Sequence, residues 1–138
     1  MLLEAYDAYG FKDMSYKEPS VKITAIIKII KEIKKKDPSA QIIIFSAYRS
    51  FQDILYYHLA QIKGIGAEKQ ARYHGKMSKN KKSLELNRFI IGEADILLTI
   101  FKSGGLGLNL TCATHVIFAE PSFTYADWTQ AVGRIYRY

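Results

Sequence analysis

The sequence predicts an α/β domain, a three-layer sandwich around a mainly parallel sheet. Two observations point there. Short runs that are almost wholly apolar, residues 41–46 and 95–100, alternate with stretches in which apolar residues recur at helical spacing. That is the pattern of strands buried on both faces and joined by crossover helices. Size sets the scale: 138 residues, 49% of them apolar, suit one compact domain and leave little for a second.

Residues 1–19 carry aromatics and mixed charge without a clean period, and form a lead-in to the domain at 20–138. Residues 20–36 predict a helix capped by Ser20, with Ile23, Ile26, Ile27, Ile30 and Ile33 on one face and Lys28, Lys31, Lys34 and Lys35 mainly on the other. Asp37-Pro38 stops it. QIIIFS at 41–46 is a buried strand. A helix over 50–62 follows, where Ser50 and Asp53 have capping-box character with Asp replacing the usual Glu or Gln. Gly64 and Gly66 end it. Residues 71–74 form a short strand and Gly75 turns the chain. Residues 78–91 are helical through Leu84, Leu86, Phe89 and Ile90, up to Gly92. A buried strand at 95–100, a glycine-rich turn SGGLGLNL at 103–110, a strand at 115–119 and a last helix over 125–136 complete the order. In such a sheet the functional loops sit at the strand C-terminal ends, here 46–50, 74–78, 101–109 and 120–124.

Composition narrows the class. No apolar run approaches the roughly 20 residues needed to span a bilayer, so no membrane association is expected. The N-terminus MLLEAYDAYG lacks the basic region of a signal peptide. The single cysteine, Cys112, allows no internal disulfide and fits a reducing, intracellular compartment as a small buried side chain. No His, Cys or acidic residues repeat at a metal-ligand spacing. His58 and His115 are expected to be packed or at the surface, and Trp128 in core or interlobe packing. The net charge of +7 comes mostly from two lysine clusters, Lys28 to Lys36 and Lys76 to Lys82. It suits a polyanionic partner or solvated helix faces equally. Tyr48 and Tyr73 could stack on bases, with packing at the core and rim as the favoured reading.

Two constellations carry chemistry. Gly104, Gly105 and Gly107 leave main-chain N–H groups open to a phosphate, with Lys102, Ser103 and Asn109 adding polar groups. Alone, the cluster fits a tight strand-to-helix connection as well. It is neither a Walker A loop, having no Gly-Lys-Ser/Thr, nor a dinucleotide fingerprint. On the last helix Gln130, Arg134 and Arg137 stand at i, i+4 and i+7, a planar donor array on one face suited to phosphate. Gly133 beside them costs about 1 kcal/mol in a helix and suggests close approach by another group.

Five segments in order resemble the C-terminal motor lobe of superfamily two helicases, and within it the Swi/Snf-type double-stranded DNA translocases. SVKITAIIKII resembles the opening helix, QIIIFSAYRSFQDIL motif IV, and YHGKMSKNKKSLELNRF the turn and helix after it. DILLTIFKSGGLGLNLTCATHVIFAEP resembles motif V and its following strand, and QAVGRIYR motif VI. The resemblance covers residues 20–137 and implies a RecA-like fold. It implies that Arg134 and Arg137 reach ATP held with Mg2+ mainly on an N-terminal RecA-like lobe, with Gln130 coupling the helix to the nucleotide. It implies that Gly105, Gly107 and Asn109 lie toward the nucleotide. Lys102, Ser103 and Gly104, with Ser46, Tyr48, Arg49, His74, Gly75 and Lys76, would track the nucleic-acid backbone.

The sequence departs from the family at Glu120-Pro121-Ser122-Phe123, where Asp-Pro and an aromatic-Asn-Pro are usual. It holds no Walker A lysine and no Asp-Glu box. The expectation is therefore a monomeric lobe that does not hydrolyse ATP alone. It would be nuclear in a eukaryote, or cytoplasmic in a prokaryote or some viruses. An RNA-directed helicase lobe and a non-catalytic binding module of the same fold are the alternatives.

Overall fold

The structure, a computed structural model, describes residues 20–100 and 110–119, with Ala126 and Thr129 in a helix. The lead-in, most of the glycine-rich turn and last helix, and Gln130, Arg134, Arg137, Trp128, Lys102, Ser103, Gly104, Gly105, Gly107 and Asn109 lie outside the described residues.

Helix α1 (Val21–Lys36) forms as its isoleucine spacing requires, burying Ile23, Ile26 and Ile30. The Ser20 hydroxyl accepts the Ile23 N–H at 3.2 Å, which satisfies one of the otherwise orphaned first-turn donors. Asp37 is the C-cap. Its carboxylate accepts the Ser39 N–H and hydroxyl at 3.1 and 2.7 Å, turning the chain toward the sheet.

β1 (Ile42–Ser46) is buried along its whole length. α2 (Arg49–Ala60) leads through a short 3-10 turn (Ala67–Lys69) into β2 (Gln70–Tyr73). α3 (Lys79–Ile90) is capped by Ser78, whose hydroxyl accepts the Lys81 N–H at 3.1 Å. It ends at Gly92, whose φ of 87° is the left-handed conformation a helix exit requires. β3 (Ile96–Ile100) and β4 (His115–Phe118) complete the described elements.

The sheet order is β2-β3-β1-β4, all parallel. Ile42 registers with both Ile96 and His115, and Gln70 with Ile96. Period-two alternation then divides the core. Ile42, Ile44, Ile96 and Leu98 pack under α1 and α2 with Ile30, Leu55 and Leu59. Ile43, Phe45, Ala71 and Leu97 pack under α3 with Phe89, joined by Leu110 and Ala113. Each fully buried Ile or Leu contributes roughly 1.5–3 kcal/mol of transfer free energy. This is the three-layer α/β sandwich that the alternating pattern predicts.

Two local expectations change. The capping box at Ser50 does not form: Tyr48 is the N-cap of α2, without a side-chain cap bond, and Ser50 lies inside the helix. Asp53 instead pairs with Arg72 of β2, a stronger partner than a backbone N–H. On α3, Leu84 and Ile90 are 59% and 45% exposed, and Phe89 alone is fully buried. The helix packs chiefly over β2, the last strand on that side of the described sheet, so no described residue covers its outer flank.

Candidate functional site

Because the strands are parallel, their C-terminal ends share one edge. Ser46 registers with Ile100, and Phe45 and Tyr73 both register with Thr99. The chain leaves β1 through Ala47 and Tyr48 into α2, and leaves β2 through His74, Gly75 and Lys76 into α3. The structure thus brings together Ser46, Tyr48, Arg49, His74, Gly75 and Lys76 from two separate loops. Tyr48 is 64% exposed and therefore free of the rim packing expected of it. Arg49, Gly75 and Lys76 are also exposed. Arg49 and Lys76 make no ion pair among the described residues. Ser46 and His74 sit below them, 2% and 8% exposed. Tyr73 is half-buried, with the Lys82 ammonium 5.5 Å from its ring centre.

Electrostatics at this edge is one-sided. Two helices begin here, and neither has an acidic residue in its first turn. Instead α3 opens on Lys79, Lys81 and Lys82. Cations at a helix N-terminus oppose the macrodipole, where an anion would be stabilised by about 0.3–1 kcal/mol. An external anion would relieve that repulsion and meet the N–H groups of two helix starts.

Beneath the loops lies a cluster that sequence reasoning missed. Arg72 donates from Nε to Oε1 of Gln52 at 3.1 Å and is ion-paired with Asp53, while its guanidinium stands 4.9 Å from the Tyr56 ring centre. The paired side chains are only 17% and 11% exposed. The signal was available: an arginine within the strand QARY, and a Gln-Asp pair among the apolar residues of α2. A charge at a position that should be buried calls for a partner. This pair clamps the end of β2 to α2, and so holds the two loops at fixed separation.

His74 packs against the same cluster. Burial pushes its pKa below the usual value, Arg49, Arg72 and Lys82 push it further, and Asp53 opposes them. Its Nδ1 has no hydrogen-bond partner among the described residues, nor do Ser46 Oγ and Gln52 Nε2. The edge is therefore a polar floor under an exposed cationic and aromatic rim. Elsewhere, Cys112 is half-buried and burial raises its pKa, which fits an inert thiol. His58 is buried and His115 exposed. Among the described residues no helix is long and apolar enough to cross a membrane, and no group of His, Cys, Asp or Glu could hold a metal ion.

The family model for the helicase conserved C-terminal domain matches residues 21–138. The DNA repair protein RAD5 of Saccharomyces cerevisiae is 32% identical over 130 residues, which is 92% of this chain and 11% of that protein. The chain thus spans about a tenth of the length of the curated relatives it matches. Among solved structures, the C-terminal part of the Fun30 ATPase domain superposes with a TM-score of 0.74 at 29% identity, covering 99% of this chain and 42% of that one. Domain 2 of the DEAD-box helicase Mss116p, solved bound to an RNA duplex, gives a TM-score of 0.67 at 27% identity over 84% of this chain and 44% of that one.

Proposed function

Since the chain belongs to the helicase conserved C-terminal domain family, as the C-terminal RecA-like lobe of a superfamily two ATPase of Swi/Snf type, we propose that it is half of an ATP-driven motor that translocates on double-stranded DNA. The observation that carries this reading is the edge where Ser46, Tyr48, Arg49, His74, Gly75 and Lys76 converge with two acid-free helix starts. A surface of that chemistry suits a phosphate backbone and needs no base contacts. Lys102, Ser103 and Gly104 come after β3 in sequence, one residue past its end, and extend the same track in this proposal.

The nucleotide side of the proposal rests on residues outside those described. Arg134 and Arg137 stabilise the charge that develops on the transferring phosphoryl group, and Gln130 couples their helix to the nucleotide. Gly105, Gly107 and Asn109 line the approach. ATP and Mg2+ are held mainly by an N-terminal lobe of the same protein, so the lobe alone does not hydrolyse ATP. DNA as substrate makes the nucleus the compartment in a eukaryote. A transition-state arginine is worth roughly 10³–10⁵ in rate. Arg137→Ala in the full-length protein should therefore lower DNA-stimulated ATPase by at least about a thousandfold, and activity near wild type would remove that residue from the role.

A second reading, an RNA-directed motor, draws on the likeness to an RNA-bound helicase domain. Comparing ATPase stimulation by double-stranded DNA, single-stranded DNA and RNA separates the two. Stimulation chiefly by RNA would replace the DNA reading.

A further inference from the structure

The opposite end of the sheet carries a groove that the motor does not use. α1 ends just before β1 starts, and the chain leaving α2 ends just before β2 starts. In a parallel sheet those two points lie at the edge remote from Tyr48 and Lys76. Between them opens a groove of about 410 Å3. Its apolar lining is Ile62 and Ile65, half-buried and buried, both seated on the core under α1 and α2. Its rim is Lys31, Lys34, Lys35 and Lys63.

The four lysines are not equivalent. Lys34 is committed internally: its ammonium donates to the Pro38 and Ala40 carbonyls at 2.6 and 3.1 Å and pairs with Asp95 at 3.1 Å. Lys31, Lys35 and Lys63 are exposed and have no ion pair or hydrogen bond among the described residues. Among the described residues no acidic side chain lines the groove. The nearby acids Glu32 and Asp37 line a separate groove of about 240 Å3 with Ile29 and Ile33. Basic residues in the last turn of a helix complement its dipole, and that accounts for Lys35. It does not account for Lys31, a turn earlier, or for Lys63 arriving from another segment onto the same groove.

We propose that this groove is a docking site for an acidic protein segment that carries an apolar side chain. The carboxylates would meet Lys31, Lys35 and Lys63 while the apolar group covers Ile62 and Ile65. Three features favour such a segment over a nucleic-acid backbone. An apolar floor gives a phosphodiester chain nothing. No aromatic side chain among the described residues lines the groove to stack a base. No arginine among the described residues lines it to grip a phosphate with two bonds. Because the groove faces away from the strand C-terminal edge, the partner and DNA could be held together.

The test uses the 138-residue chain and a short fluorescein-labelled peptide alternating glutamate and leucine, read by anisotropy. The chain binds it, and a glutamate-serine peptide binds more weakly. The charge reversal K31E/K35E/K63E weakens binding by about tenfold or more. The neutral variant K31Q/K35Q/K63Q, which leaves the helix end less perturbed, weakens it in the same direction. Absence of binding to the unaltered chain overturns the proposal, as does binding that either well-folded variant leaves unchanged. Displacement of the peptide by an equal concentration of short double-stranded DNA also overturns it, and makes the groove a nucleic-acid surface.

Discussion

Replacing Asp53 by alanine isolates the clamp beneath the strand C-terminal edge. It removes the only carboxylate paired with Arg72 among the described residues and leaves a guanidinium that is 17% exposed. Breaking a fully buried pair from one side costs about 3–5 kcal/mol, whereas an exposed pair is worth about 0.2–1. The exposures here lie near the buried limit, but Arg72 keeps its 3.1 Å bond to Gln52 and its place over the Tyr56 ring. A loss of about 2–3 kcal/mol follows. With an m-value of roughly 1–3 kcal/mol/M in urea, the unfolding midpoint falls by about 0.7–3 M. Urea titration followed by circular dichroism measures it. The double variant Asp53→Ala, Arg72→Met removes both charges and should recover at least half of the loss. If Asp53→Ala costs under about 1 kcal/mol, or if the double variant is less stable than the single one, the clamp is not what holds the two loops apart.

Three further outcomes follow from the same geometry. Arg49→Ala with Lys76→Ala in the full-length protein weakens binding to all double-stranded sequences alike and reduces the slope of log affinity against log salt by about 2, measured by a salt series. His74 has its folded pKa held below the unfolded value, so the unfolded chain binds the proton first. Stability therefore falls as pH drops below the ordinary histidine range toward the lowered folded value, and His74→Gln flattens that part of the stability profile. Gly92→Ala meets no atom within 4 Å but keeps a φ of 87°. It costs about 1 kcal/mol from backbone strain alone, visible in the same urea titration.

Much of this architecture was legible in the chain. The isoleucines of α1 and the unbroken run IIIF announce a helix and a doubly buried strand because burial imposes different periods on each. Ser20, Ser78 and Gly92 mark helix ends through local chemistry, and the structure uses all three so. What pairing decides was not legible. Asp53 satisfied a local pattern at a helix start, yet its partner lies on β2, and no window of neighbouring residues contains both. For the same reason the sequence placed Ser46 and His74 at strand ends but did not show that both are buried beneath the loops, 2% and 8% exposed. The exposed flank of α3 likewise follows from the position of β2 in the sheet, which Leu84 and Ile90 do not encode.

The strand order has a consequence for how the chain acquires its structure. β1 finds its neighbours in β3 and β4, never in β2, so Ile42 must await Ile96 and His115. During synthesis the segment IIIF emerges long before either partner. Loop closure over that distance precedes any reward from pairing, which makes assembly slow for the domain's size. Until β3 arrives, this wholly buried strand has two open edges and no charged residue within it to discourage pairing with another nascent chain. Release of the polypeptide before β3 is made should therefore yield an aggregation-prone species with no stable half-fold, and chaperone demand should peak over the interval in which α2, β2 and α3 are translated.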